Sequence, residues 1–184
     1  IASLTGRAAT IAAAVDKVQA TIDQIVASAL VDVRAAVTEE KANLTAYRQR
    51  GGKLLQYHGW NDQLITPQNS IDYYESVLSF FGAGGQPRDK TLQDVQSFYR
   101  LFMAPGMAHC GGGTGPNSFD MQTALEQWVE RGVAPDQILA TRAVSGVVDR
   151  LRPLCPYPQV AVYKGKGDTN EAANFECRAT PAGR

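Results

Sequence analysis

Two short stretches of this chain carry the residue types that move protons near neutral pH. The first is Pro105-Gly106-Met107-Ala108-His109-Cys110-Gly111-Gly112-Gly113, which sets one of only two histidines beside a cysteine in a glycine-rich loop. Imidazole is the side chain best matched to proton transfer at this pH, so His109 is the candidate general base. The second stretch ends in Trp60-Asn61-Asp62, and its carboxylate could hold an imidazole in one working tautomer. A plainer reading stands beside this one, because a loop histidine is more often a surface or hydrogen-bonding residue than a catalyst. His58, Asp62, His109 and Cys110 also include ligand types that bind zinc. Their spacing matches no metal motif, however, and His58 ends a run expected to be a buried strand, so no metal site is expected.

The elements that must position these residues follow from periodicity. Phe98 to Met103 and Lys53 to Trp60 are apolar runs of strand length, each broken by glycine or proline. Between them, Ile71, Tyr74, Val77, Leu78 and Phe81 recur with helical spacing. Thr66 and Pro67 supply an N-cap and a first-turn proline, and Gly82 to Gly85 supply a stop. Thr91 to Ser97 is a short helix or loop. Strand, helix, strand in this order predicts a β-α-β unit and a mostly parallel sheet, buried on both faces. Ligand sites in such sheets lie at the carboxyl ends of the strands, which puts Asp62 and His109 on one rim. Farther on, Met121, Leu125, Trp128 and Val129 mark a helix stopped by Gly132, and Ile138 to Ala143 is a further strand. The tail from Arg152 to Cys177 is rich in Pro, Gly and Asn and is expected to wrap the surface. At the other end, Ile11, Val15, Val18, Ile22, Ile25, Ala29, Val33 and Val37 step by fours and threes, which predicts an amphipathic helix. The fold class is therefore α/β, with an N-terminal amphipathic helix.

Composition narrows the classes of function. The 184 residues are 44% hydrophobic and 20% charged, with a formal net charge of +0. That is the profile of an ordinary globular domain, and scattered Lys and Arg give no basic footprint for nucleic acid or an anionic membrane. No apolar run approaches the roughly 20 residues needed to cross a bilayer. Asn43-Leu44-Thr45 is a glycosylation sequon, a pattern frequent by chance. Three cysteines are an odd number, leaving one to pair elsewhere or stay free.

An aspartate after one strand and a histidine after the next is the order of an α/β-hydrolase triad, whose serine precedes both in a Gly-x-Ser-x-Gly elbow. No such elbow occurs. Ser70, Ser76, Ser79, Ser118 and Ser145 all lack that context, and Ser145-Gly146 falls on the wrong side of the histidine.

Four ordered motifs carry a more specific resemblance. They are Gly51-Gly52-Lys53-Leu54 through Tyr57-His58-Gly59-Trp60-Asn61-Asp62, then Pro105-Gly106-Met107-Ala108-His109-Cys110-Gly111-Gly112, then Trp128-Val129-Glu130-Arg131-Gly132 through Ala134-Pro135-Asp136, and last Arg152-Pro153-Leu154-Cys155-Pro156-Tyr157-Pro158 with Tyr163-Lys164-Gly165-Lys166-Gly167-Asp168. From about Asn43 to Cys177 the chain resembles the C-terminal part of the tannase and feruloyl esterase family. The resemblance leaves residues 1–42 unmatched, so residues 43–184 are expected to be part of an α/β-hydrolase domain and 1–42 a separate helical segment.

The resemblance implies a secreted or periplasmic serine carboxylesterase acting on small aromatic esters of phenolic or terephthalic type. Asp62 would be the triad acid and His109 the base, with Leu64 and Ile65 walling the acyl pocket. It implies a Cys155–Cys177 disulfide, and a bridge from Cys110 to a cysteine beside the nucleophilic serine, outside this sequence. Such a bridge preorganises nucleophile and base. The serine, the oxyanion hole and the lid domain with its calcium site would belong to the missing N-terminal part of the hydrolase, the expected partner, so no cofactor is expected in this chain. The alternative is an inactive fragment or a binding domain.

Overall fold

The computed structural model describes residues 11, 13–29 and 42–179. The chain divides into two compact units, Ile1–Ala42 and Asn43–Arg184. In the first, residues 13–29 form a helix, α1, as the stepping pattern predicts. Its stripe of Val15, Val18, Ile22 and Ile25 is exposed. Val33 and Val37, the last positions of that pattern, lie outside the described residues.

The second unit opens with a single turn, α2 (Thr45–Gln49), and then β1 (Leu54–Gly59). Next come α3 (Gln68–Gly82), α4 (Arg88–Gln96) and β2 (Tyr99–Ala104). Strand β2 runs parallel to β1 in the register Leu54 to Tyr99 through Gly59 to Ala104. The β-α-β unit is therefore present, with a second helix where the sequence left helix or loop open. The start of α3 differs by one residue from expectation: Pro67 is its N-cap and no side chain caps it, while the Thr66 carbonyl accepts from the Asn69 amide at 3.1 Å.

Strand β2 is the core of this unit. Tyr99, Leu101, Phe102 and Ala104 are buried, as are Ile71, Tyr74, Val77 and Leu78 of α3 and Val95 of α4, and Phe102 and Ala104 cluster with Met107, Ile138, Ala140 and Leu154. Tyr74 meets Tyr99 edge-on at 4.8 Å between ring centroids. Burial of apolar area at about 25 cal/mol per Å² is what holds such a strand between its neighbours. Strand β1 is less covered than predicted, because Tyr57 is exposed and only Gly59 is fully buried.

The expectation of a mostly parallel sheet is corrected. Of the three two-stranded sheets among the described residues, only β1–β2 is parallel. After α5 (Met121–Arg131), closed by left-handed Gly132 at φ 70°, strands β3 (Ile138–Val144) and β4 (Val147–Leu154) pair antiparallel. Ser145 and Gly146 make the turn with φ of 51° and 81°. Two positive φ values in a two-residue loop are the pattern whose twist matches a hairpin.

The tail also departs from expectation. Strands β5 (Gln159–Tyr163) and β6 (Phe175–Ala179) form a third, antiparallel pair, and Cys155 is bonded to Cys177. The Tyr157 amide donates to the Leu101 carbonyl at 2.7 Å, so the tail joins the free edge of β2. Leu154, Cys155 and Pro156 are buried there. The proline-rich sequence between β4 and β5 is thus part of the core.

Candidate active site

Asp62 and His109 come from the carboxyl ends of the parallel strands β1 and β2. The two ends are tied by backbone: the Trp60 amide donates to the Ala104 carbonyl at 3.0 Å and the Asn61 amide to the Met107 carbonyl at 2.9 Å. A Cβ on Gly59 would collide with the Met107 carbonyl, which is why a residue without a side chain ends β1. The loop at residues 105–115 then closes on itself. Met107 is buried and bridges Gly113, and the Ala108 amide donates to the Gly112 carbonyl at 3.2 Å. His109 and Cys110 stand at the tip, with Cys110 in the left-handed region at φ 58°.

Asp62 is 5% exposed and His109 32%. His109 Nδ1 lies 2.8 Å from Asp62 Oδ2, and His58 Nε2 lies 3.1 Å from the same oxygen. The other oxygen, Oδ1, accepts from the amides of Leu64 and Ile65, both at 2.9 Å. A carboxylate has about four lone-pair sites, and here four donors fill them. Burial of Asp62 works to raise its pKa. The Ile65 amide, the His109 hydrogen bond, the Leu64 amide and the charge of His109 together outweigh it and hold the carboxyl well below the usual carboxylate range.

Leu64 is 71% exposed and Ile65 49%. What the structure shows of them is their backbone contribution to Asp62, a role no side-chain pattern announces. His58, at the end of β1, is also a contact of Asp62. The only cue in sequence is its spacing of four residues from the aspartate.

The geometry suits general-base chemistry. With its Nδ1 proton directed at Asp62, His109 keeps a basic Nε2, which has no partner among the described residues. No described serine hydroxyl is bonded to it: Ser70 bonds His58, while Ser76 and Ser79 bond carbonyls of α3. Ser145 is a hairpin turn residue. Among the described residues no group of three or more His, Cys, Asp or Glu is placed to hold a metal ion. A cavity of about 370 Å³ adjoins the same loop, lined by Pro105, Gly106, Thr114 and Gly115 together with Arg150 and Arg152. Cys155 and Cys177 are paired, and Cys110 is free and exposed.

The sequence profile of the family described as "Tannase and feruloyl esterase" matches residues 5–178. The chain belongs to that family. The match begins at residue 5 and so takes in most of the N-terminal segment, where the motif resemblance started only near Asn43. Mono(2-hydroxyethyl) terephthalate hydrolase of Piscinibacter sakaiensis is 50% identical over 143 residues, covering 76% of this chain and 22% of that protein. A probable feruloyl esterase of Arthroderma benhamiae is 42% identical over 139 residues, covering 73% of this chain and 24% of that one. Among solved structures, an esterase from Aspergillus oryzae shares 34% identity at a TM-score of 0.66 over 74% of this chain and 29% of its own. Tannin acyl hydrolase from Aspergillus niger shares 29% at a TM-score of 0.62, over 74% and 24%. The chain thus spans about a quarter of the length of the family members it matches. This family chain has an α/β fold of mixed helices and small sheets, and its relatives are ester hydrolases.

Proposed function

We propose that this chain is the C-terminal portion of a serine hydrolase of aromatic carboxylic esters, and that it supplies the acid and base of the triad. The observation that carries the reading is the Asp62–His109 pair, 2.8 Å apart at the ends of adjacent parallel strands. In this reading a serine from a segment outside the chain lies against His109 Nε2. His109 takes the serine proton as the hydroxyl attacks the ester carbonyl, then returns it to the leaving alcohol. Water repeats the cycle on the acyl-enzyme. Asp62 keeps the imidazole in the Nδ1–H tautomer and stabilises the imidazolium formed in each half-reaction. The oxyanion donors come from the same outside segment as the serine. Cys110 is bonded to a cysteine of that segment in the complete enzyme, tying base to nucleophile. Substrates are phenolic or terephthalic acid esters, a reading supported by the names of the relatives, feruloyl esterase and mono(2-hydroxyethyl) terephthalate hydrolase. The enzyme is exported, as its Cys155–Cys177 bond suits an oxidising compartment.

The test compares the chain alone with the chain joined to the N-terminal portion of the Piscinibacter sakaiensis relative, hereafter the joined protein. The chain alone should leave hydroxyethyl terephthalate, ferulate and gallate esters intact, since a triad without its nucleophile retains only a small part of its catalysis. The joined protein should hydrolyse at least one of them, and His109→Ala should abolish most of that turnover. Robust hydrolysis by the chain alone that survives His109→Ala would place the chemistry elsewhere.

A further inference from the structure

Behind Asp62 the hydrogen bonds continue into the core. His58 Nε2 faces two groups that can only accept, Asp62 Oδ2 and the Ile65 carbonyl, each at 3.1 Å, so that nitrogen carries a proton. Its other nitrogen, Nδ1, lies 2.7 Å from the hydroxyl of Ser70, a buried residue of α3. The Ser70 oxygen already accepts from Gln56 Nε2 at 2.9 Å. Gln56 Oε1 in turn accepts from the phenol of Tyr99, which is buried in β2. With the proton of the neutral ring on Nε2, His58 Nδ1 is a bare acceptor, and the Ser70 hydroxyl is the group that donates to it. Tyr99, Gln56, Ser70 and His58 then each donate to the next, and the last proton points at Asp62.

Only one polarity satisfies every group in this series without a second proton on His58. Reversing it at Ser70 would make His58 a donor at both nitrogens, and would leave the serine hydrogen without an acceptor in the series. The series also crosses elements: Gln56 and His58 lie on β1, Tyr99 on β2, and Ser70 on α3. A shift of α3 against the strands would therefore be felt at the carboxylate.

We infer that His58 and Ser70 are positioning residues for Asp62: anchored on Tyr99 and Gln56, Ser70 fixes His58 as its Nε2–H tautomer, and that proton aims Asp62 Oδ2 at His109. Its catalytic consequence rests on the esterase reading, while the tautomer itself does not.

The chain contains two histidines, so both rings can be resolved after labelling with 15N-histidine. Long-range 1H–15N spectra of the full chain at pH 8 should show His58 protonated at Nε2 and bare at Nδ1, and His109 protonated at Nδ1. Ser70→Ala should mix the tautomers of His58 and weaken or broaden away the downfield Nδ1–H signal of His109. Ser70→Thr, which keeps the hydroxyl, should restore both. In the joined protein Ser70→Ala should lower kcat about tenfold to a hundredfold at unchanged KM, the cost of a misaimed base. A proton on His58 Nδ1 in the unmutated chain would overturn the inference without any variant having to fold. So would a Ser70→Ala spectrum in which the His109 signal is unchanged. The expected spectra from a joined protein that hydrolyses no ester would uphold the tautomer assignment and sink the esterase reading instead.

Discussion

Asp62 and His109 share one hydrogen bond in opposite surroundings. The carboxylate is 5% exposed and receives four donors, two of them backbone amides from its own segment. The imidazole is 32% exposed, and its one hydrogen-bond partner among the described residues is Asp62. Its loop is closed by Met107 pairing with Gly113, and the tip beyond is a left-handed cysteine followed by glycines at φ 150°, 65° and 91°. Hydrogen bonds to fixed amides leave a carboxylate one orientation, whereas a side chain at the tip of a glycine loop is held only by what it touches. The acid is organised by this chain, and the base borrows its order from the acid. The base loop has one unused attachment point, the free thiol of Cys110.

The strongest way to break this relation is to invert one atom of Asp62. In the joined protein, Asp62→Asn should lower kcat by about 10⁴-fold, because an amide nitrogen would face the N–H groups of His58 and His109 and push His109 into the wrong tautomer. A steady-state profile with a loss under tenfold would show that His109 is oriented by something else. The same variant reports on pH. A carboxyl held below its ordinary value adds stability that is fully present above that value, and loses it as the pH falls through its folded value. Urea midpoints of the unmutated chain should therefore fall as pH drops below about 4. The Asp62→Asn chain should lose that part of the slope. Asp120, held low by Thr123, and Asp149, held low chiefly by Arg142, should keep theirs in both proteins.

The carboxylate end of this relation was only partly legible in the sequence. Strands β1 and β2 and helices α3 and α5 announce themselves by apolar runs, 3.6-residue spacing and a Gly132 stop, and with them the shared rim follows. What the sequence hides is whatever the backbone does: the amides of Leu64 and Ile65 that hold Asp62 carry no side-chain signature. The hairpin of β3 and β4 does have a signal, Ser145-Gly146 between paired valines, the turn dipeptide that also fails as a serine elbow. The tail was misread because Pro and Gly suggest a surface path, while a disulfide and the antiparallel pair β5–β6 give Leu154, Cys155 and Pro156 a buried place beside β2.

Cys155 and Cys177 show what a tied segment gains, and removing the tie is the next largest effect. They are 22 residues apart in sequence. On the loop-entropy estimate, replacing both by alanine should cost about 3 kcal/mol in urea unfolding. The His109–Asp62 N–H signal should survive in the folded fraction, since neither cysteine touches that pair. Loss of the signal before unfolding would mean that the tail, and not the acid, orders the base. Gly59→Ala comes after it. The added methyl meets the Met107 carbonyl where the ends of β1 and β2 are bonded together. Relief requires the base loop to move away from the acid, at about 1–3 kcal/mol. Unlike loss of the disulfide, this change should weaken the His109 signal in protein that is still folded.

The smallest effect belongs to Cys110, and it sharpens the comparison most narrowly. Its thiol is exposed and free, and its φ of 58° would be the same burden on serine. Nothing in this chain depends on the sulfur, so Cys110→Ser should leave the urea midpoint within about 0.5 kcal/mol of the unmutated chain. A maleimide should label Cys110 at once in native protein and leave Cys155 and Cys177 untouched. In the joined protein the same substitution should be felt, because a loop that leans on one hydrogen bond gains most from a second tether. There the thiol should resist labelling until reductant is added, and Cys110→Ser should lower kcat while Cys155 and Cys177 stay bonded. Immediate labelling of Cys110 in an active joined protein would show that the base loop is never tethered, and that Asp62 alone suffices to aim His109.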